Sequence, residues 1–314
     1  MSAGWTRTGI GVLRSLAIVL VVWGGAPDPA RAQAHGRPFQ PGWLFSAAAT
    51  PWFQGDASVV GGGSFRTTGV ILRGSVDGPV GERARAGVSL SYDYTSYEFT
   101  SPGALGTGKP WTDIQHLGLG PTLLLLGPGP WSFLVRPSVD FYLENGADWG
   151  RSLIYGGVLG VARNFGPDRR IGLGLSIYDR LEQVSVLPFP FIDWRLTSRL
   201  RLTNPLQAGP TGGAGLELAF DASRSFTLGG GAAYRSLRFR LREAGPFPSG
   251  IGEQHAFLGF LHAGARFGRN FTLDVYAGGL FSGALRVEDS GGHGISERSF
   301  DTVPLVGATL SVQL

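Results

Sequence analysis

Residues 271–288 read FTLDVYAGGLFSGALRVE, and their alternation decides the fold. One parity carries Phe271, Leu273, Val275, Ala277, Phe281, Leu285 and Val287; the other includes Thr272, Asp274, Tyr276, Ser282, Arg286 and Glu288. Successive side chains of a strand point to opposite faces, so a period of two marks a strand with one apolar and one polar face. The run is also long. Strands of soluble sandwiches hold about 5–6 residues, whereas a tilted strand that crosses a bilayer needs about 10.

The same rhythm recurs on either side. In Arg85–Phe99, Ala86, Val88, Leu90, Tyr92 and Tyr94 alternate with Arg85, Ser89, Ser91, Asp93 and Thr95. In Phe133–Glu144, Phe133, Val135, Val139, Phe141 and Leu143 alternate with Arg136, Ser138, Asp140, Tyr142 and Glu144. Short breaks at residues 77–79, 127–130, 166–168, 197–199, 221–223 and 268–270 are interleaved with longer polar ones near 54–63, 100–112, 145–151, 180–186, 204–213, 243–254 and 289–298. Outer-membrane barrels have short periplasmic turns and longer external loops. The chain is therefore expected to be all-β, a single closed antiparallel transmembrane β-barrel of about fourteen strands with both termini on the periplasmic side. Twelve strands result if Trp43–Phe53 and Arg199–Thr203 are not strands. Apolar residues change parity between Leu228 and Leu237, which predicts a β-bulge near Tyr234–Ser236.

Composition agrees with a lipid-facing surface. Charged residues are 16% of the 314 and hydrophobic ones 43%, against about a quarter charged in soluble domains. There is no Cys, so no disulfide framework or thiolate metal site is available. Residues 1–32 read as a cleaved signal peptide: Arg7 and Arg14, the apolar run Leu16–Trp23, and Ala30-Arg31-Ala32 before Gln33, with Ala32-Gln33-Ala34 as a second cleavage site. The apolar run is shorter than the about 20 residues of a spanning helix. Residues 33–314 are then the barrel, exported by the general secretory route to the outer membrane of a Gram-negative bacterium. Its expected partners are outer-membrane lipid, periplasmic chaperones and the barrel-assembly machinery. Removing Arg7, Arg14, Arg31 and Asp28 with the signal lowers the net charge from +4 to +2. The remaining basic residues form no stripe, which argues against nucleic acid.

The segments Pro188–Leu196 (PFPFIDWRL), Arg199–Pro205 (RLRLTNP) and Gly215–Asp221 (GLELAFD), with the rhythm of residues 226–314, resemble a family of uncharacterised bacterial outer-membrane β-barrels. The resemblance implies a barrel and carries no activity. The chain departs from that pattern at its end, Ser311-Val312-Gln313-Leu314, where such barrels close on an aromatic residue.

Five charges stand opposite an apolar parity: Asp193, Arg195, Arg199, Arg201 and Glu217. If the apolar residues face lipid, these face the lumen as a ladder on three consecutive strands. They form either a solute-selecting constriction or a self-neutralising filling. His116 and His262 fall on the same lumenal parity, and His262 reads as a pore-lining partner of Arg266. No GxSxG elbow, metal spacing or P-loop ending occurs, so neither an enzyme nor a cofactor is expected. Trp43, Trp52, Trp111, Trp131, Trp149 and Trp194 sit mostly near strand ends, as interfacial girdles would. Lumenal Ser89, Ser91, Gly118, Gly120, Gly172, Gly174 and Ser176 leave room for a bore. The expected function is a narrow passive channel for small hydrophilic solutes. A filled barrel with a structural or adhesive role is the alternative, followed by a membrane-embedded hydrolase.

Overall fold

The computed structural model describes residues 42–100, 105–106, 109–212 and 214–314, so the signal segment expected over 1–32 lies outside it. The strands are β1 (Leu44–Ser58), β2 (Ser64–Pro79), β3 (Ala84–Thr100), β4 (Asp113–Leu126), β5 (Trp131–Glu144), β6 (Leu153–Asn164), β7 (Arg169–Arg180), β8 (Val184–Arg195), β9 (Leu200–Thr203), β10 (Gly215–Asp221), β11 (Phe226–Arg240), β12 (Ile251–Phe267), β13 (Phe271–Glu288), β14 (Gly294–Phe300) and β15 (Val303–Gln313). Each pairs antiparallel with its neighbour, β13 pairs with β15, and β15 with β1, which closes the circuit. β14 and β15 both pair with β13 and are one wall strand interrupted at Asp301-Thr302. The barrel is thus closed and fourteen-stranded.

The apolar parity faces outward. Leu90, Val139, Leu173 and Val275 are 53%, 46%, 59% and 49% exposed, while Thr50, Thr67, Thr95, His116, Glu217 and Asp274 on the other parity are buried inside. Lipid imposes this arrangement, because a charge on the outer face costs about 2–4 kcal/mol at the midplane. Ring closure then leaves no backbone edge facing lipid along most of the wall.

Three features depart from the sequence reading. β11 pairs with β12 in one unbroken register from Phe226 to Arg240, so there is no bulge near Tyr234–Ser236. The parity changes because the interior itself becomes apolar towards the long loops, where Phe239 and Leu241 are buried inside. Outward-pointing Arg238 and Arg240 are covered there by loops, donating to the carbonyls of Leu181 and Arg151. The break near 180–186 is a tight turn, with Leu181 and Glu182 at φ 51° and 68°. The break at 204–213 is no external loop over its described residues, since 204–212 fold into the barrel.

Candidate functional site: the lumen

The wall is low on one side. β9 has four residues and β10 seven, between neighbours of 12 and 15. β8 pairs with β9 only over Asp193–Arg195. β10 reaches only to Ala233 on β11. Above this sill, among the described residues, β8 from Val184 to Phe191 has β7 as its sole strand partner. Pro188 and Pro190 fall on this open edge, at positions whose N–H would point away from β7. Ile192, two residues on in the same parity, donates its N–H to Asn204 Oδ1 at 3.0 Å on that side. Proline removes donors that would otherwise be unmet, the reason it is confined to edges. Asn204 closes the sill, its Nδ2 donating to the Pro190 and Gly215 carbonyls at 2.9 Å. Above the opening, Arg238 Nε donates to the Arg180 carbonyl at 3.0 Å, so the β7–β8 turn leans on β11.

The inner wall beside this edge is paved with aromatic rings. Phe189 and Phe191 point inward, their centroids 6.0 Å apart. Phe189 lies flat on Gly174, where any Cβ would collide with its ring, and Phe191 lies over Gly160.

From Asn204 the chain turns into the lumen. Thr50 Oγ1 donates to the Ala208 carbonyl at 2.7 Å, and Arg136 Nη1 to Gln207 Oε1 at 2.9 Å. Gly209 approaches the Tyr276 hydroxyl so closely that a Cβ would fall 3.1 Å from it. Ala208, Gly209, Pro210 and Thr211 are buried. The segment carries no charge, so entering the lumen costs it no ion desolvation.

Towards the long loops the lumen is filled by Phe65, Tyr97, Phe99, Trp111, Phe239 and Phe300. Edge-to-face pairs join Phe65 to Phe300 at 5.2 Å, Phe99 to Trp111 at 5.4 Å and Trp111 to Phe239 at 5.3 Å. Trp52 and Trp111 thus belong to the interior, whereas Trp43, Trp131 and Trp149 are exposed as girdle residues would be.

Outside the aromatic layer the lumen is polar and is organised by one constellation built twice, once nearer the long-loop ends of β4 and β5 and once nearer the short turn joining β12 and β13. His116-Leu117-Gly118 on β4 faces Asp140-Phe141-Tyr142 on β5, and His262-Ala263-Gly264 on β12 faces Asp274-Val275-Tyr276 on β13. In each case His stands opposite Tyr and Gly opposite Asp. The rings stack, with centroids at 3.9 Å for His116 and Tyr142 and 5.0 Å for His262 and Tyr276. His116 Nε2 is 2.8 Å from Asp140 Oδ1 and its Nδ1 3.0 Å from Asp93 Oδ2. His262 Nε2 is 2.8 Å from Asp274 Oδ1 and its Nδ1 2.7 Å from Glu217 Oε1. Glu217 reaches His262 across β11 at Gly229, where a Cβ would collide with its carboxylate. An ionised carboxylate only accepts, so each bond takes an N–H, and an imidazolium supplies both. Both ring nitrogens of each histidine are held by carboxylates on neighbouring strands, so these histidines brace the wall. Arg266 is not the partner of His262; it donates to the Arg224 carbonyl. The signal was in the sequence, where H-x-G followed by D-x-Y occurs twice.

The five charges singled out in the sequence separate. Asp193, Arg195 and Arg201 line one cavity at the short-turn end with Asp168, Arg169 and Arg170. Arg199 lies exposed in the turn before β9. Glu217 belongs to His262, and its ladder partner on β9 is Thr203.

No family model and no curated protein matches the chain. Its fold is similar to that of an outer-membrane channel of Pseudomonas putida F1, with a TM-score of 0.50 at 9% identity over 94% of this chain and 100% of the other. The toluene transporter TodX of Pseudomonas putida aligns at 11% identity over 91% of each chain with a TM-score of 0.44. The toluene transporter TbuX of Ralstonia pickettii aligns at 11% identity over 88% of this chain and 90% of the other, also at 0.44. At such identity the first likeness shows the outer-membrane β-barrel fold.

Proposed function

We propose that the protein is an outer-membrane channel for small apolar molecules, shut in the conformation described. The observation that carries this reading is the aromatic inner wall of Phe189 and Phe191 beside the unpartnered edge of β8. A solute leaving the lumen there meets rings and then lipid, so it must shed its water, at little cost only if apolar. The channel reading agrees with what the Pseudomonas putida F1 structure of the same fold is named for. It keeps residues 1–32 as the export signal, and the periplasmic chaperones and assembly machinery as partners in biogenesis.

The expectation of hydrophilic solutes finds no support in this interior. The room left by small lumenal residues is used otherwise: Gly118 makes way for Asp140 and Gly174 for Phe189, and the inward segment packs against Thr50 and Tyr276. Uptake of radiolabelled naphthalene and glucose by bacteria with and without the protein tests the proposal. Naphthalene uptake should rise several-fold with glucose unchanged. A rise in glucose alone would restore the hydrophilic conduit. No rise in either, even after removal of the inward segment, would make the barrel a filled structural element.

A further inference from the structure

We propose that Arg235 is an anion-binding residue of the lumen, and that the solutes of the channel include aromatic acids, held by their carboxylate on Arg235 and by their rings on Phe189 and Phe191. The substrate class rests on the apolar channel proposed above; the anion site does not.

Arg235 stands at the inner rim of the opening between β8 and β11. Ala233 is the last residue of β11 that β10 pairs, opposite Gly215, and Asn204 ties the Gly215 carbonyl to that of Pro190. Arg235 is thus the first inward residue above the sill on one side, as Phe189 is on the other. Its direction follows from Ala256, its neighbour across the β11–β12 ladder, which is buried inside. The guanidinium reaches through the interior to Trp52 on β1, its carbon 4.9 Å from the ring centroid.

Two observations point to an anion. The first is the want of a counter-charge. Among the described residues Arg235 has neither an ion pair nor a hydrogen bond. Asp93, whose charge reaches it, is held by Arg73, His116 and the Tyr142 hydroxyl. Stacking on Trp52 uses the face of the guanidinium and leaves its N–H groups, which lie in its plane, without acceptors. Charges inside a protein are ordinarily paired. The residue is half-buried, with part of its surface open to the interior.

The second observation is Gln54, the next inward residue after Trp52 on β1. Its Oε1 accepts from Gln254 Nε2 at 3.2 Å, and Gln254 stands opposite Leu237, the next inward residue after Arg235 on β11. The Arg235–Trp52 and Gln254–Gln54 contacts therefore run side by side. Gln54 Nε2 is buried with no hydrogen-bond partner, as is the hydroxyl of Thr67 opposite it in the β1–β2 ladder. A buried donor left unmet costs the desolvation of that group. A lone cation beside orphan donors calls for an acceptor that carries negative charge.

A carboxylate answers this need. It is planar, and its two oxygens take paired N–H groups from a guanidinium fork. As a monoanion it cancels the one charge that Arg235 leaves uncompensated. The rings of Phe189 and Phe191, across the opening, offer the body of the same molecule an aromatic surface. A bare dianion such as phosphate would leave an excess of negative charge and gain nothing from those rings.

Calorimetric titration of the refolded barrel in uncharged detergent at neutral pH, with 2-naphthoate, 2-naphthylmethylammonium and inorganic phosphate, tests the site. Only naphthoate should bind saturably. Its binding should weaken at least about tenfold in Arg235→Gln, since charge-assisted hydrogen bonds contribute on that scale. Arg235→Lys, which keeps the charge but not the fork, should fall between. Should neither variant fold, the native protein alone decides: equal binding of naphthoate and the ammonium analogue overturns the proposal. No saturable naphthoate binding, or binding that Arg235→Gln leaves unchanged, overturns it too. Phosphate bound as tightly as naphthoate overturns the assignment to aromatic acids. In bacteria, uptake of naphthoate relative to naphthalene should fall at least about tenfold in Arg235→Gln. Arg235-dependent naphthoate binding by a barrel that raises uptake of neither compound would keep the anion site and remove the channel. Raised naphthalene uptake without naphthoate binding would do the reverse.

Discussion

Gly118 stands directly opposite Asp140 across the β4–β5 ladder, and the space its missing side chain leaves is the space through which that carboxylate reaches His116. A Cβ at this position would collide with Asp140 Oδ1 and Ser91 Oγ and lie 3.0 Å from His116 Nε2. Gly118→Val should therefore push the carboxylate away and leave buried hydrogen-bonding groups unmet, at about 1–3 kcal/mol. Gly74→Val is the control, because a Cβ there meets nothing within 4 Å; its effect should stay within about 0.5 kcal/mol. Urea unfolding in detergent, followed by tryptophan fluorescence, measures both. Equal midpoints for the two variants would remove the structural role assigned to Gly118.

The outer face was legible in the sequence because lipid is an unforgiving solvent: Leu90, Val139, Leu173 and Val275 had only one side on which to lie. The inner face was less legible because two unlike interiors share one barrel. Where the lumen is polar, the parity of Asp274 and Glu217 was enough to place them inside. Where it is aromatic, Leu237 and Phe239 point inward while Arg238 points outward beneath loops, and the pattern imitates a bulge. The segment 204–214 has neither charge nor periodicity, so nothing local separates a loop over the mouth from one folded inside. Its neighbours did carry a signal. Alternate prolines at 188 and 190 belong to a strand with no partner on one side, which implies that the next strand is short. Glu217 was assigned to a ladder with arginines because strand adjacency was the only guide; Gly229 lets it reach a strand further on.

Pro188→Thr together with Pro190→Thr would put two N–H groups on the open edge of β8 with no acceptor opposite. Inside the bilayer each unmet group costs several kcal/mol, and an exposed edge invites pairing with a second chain. The double variant should give crosslinked dimers in membranes where the native protein gives none. A strictly monomeric variant of native stability would show that this edge is already paired.

Cysteine substitution places the two faces, and the chain has no native Cys to confuse the result. Cysteines at Leu90, Val139, Leu173 and Val275 should react with a lipid-soluble maleimide and resist a charged one. Cysteines at Asp193 and Arg201 should show the reverse pattern, reached by water from the short-turn end. A swap of these reactivities would mean a register slip of one residue, which exchanges the faces.

The loops at the far end are held by two buried arginines. Arg238 Nη2 donates to Glu288 Oε2 at 2.6 Å and to the Leu181 carbonyl at 3.0 Å. Arg240 Nη2 donates to Glu182 Oε1 at 2.8 Å, and its Nη1 to the Ser249 carbonyl at 3.0 Å. Leu181, Glu182 and Ser249 all have positive φ, a conformation that persists only where the surroundings enforce it. Arg238→Ala should cost about 1–3 kcal/mol, because the Leu181 carbonyl and Glu288 Oε2 lose a donor, while Arg286 Nε still pairs with Glu288 Oε1 at 2.9 Å. It should also open the Leu181–Gln183 turn to proteolysis on intact cells. Unchanged protease resistance would deny the arginines this role.

The inward segment gives the sharpest test of the shut state. It is tied to the wall chiefly through Thr50, which donates to the Ala208 carbonyl and is itself hydrogen-bonded to Thr309 Oγ1 at 2.8 Å. A few hydrogen bonds at about 1 kcal/mol each hold a stretch that lacks charge and contains Gly209 and Gly212, the latter at φ +69°. Such a tether is weak enough to release. Replacing Leu206–Gly213 by a short Gly-Ser link should keep the barrel, since the ladders on both sides, Asp193–Arg195 with β9 and Gly215–Asp221 with β11, do not use these residues. Naphthalene uptake should then exceed that of the native protein. Thr50→Val, which removes the donor but little volume, should move uptake the same way by less. A deletion variant that folds, migrates with native heat-modifiability and takes up no more naphthalene than before would show that the segment is packing and not a gate, leaving the aromatic layer of Phe65, Trp111 and Phe300 as the barrier that closes the lumen.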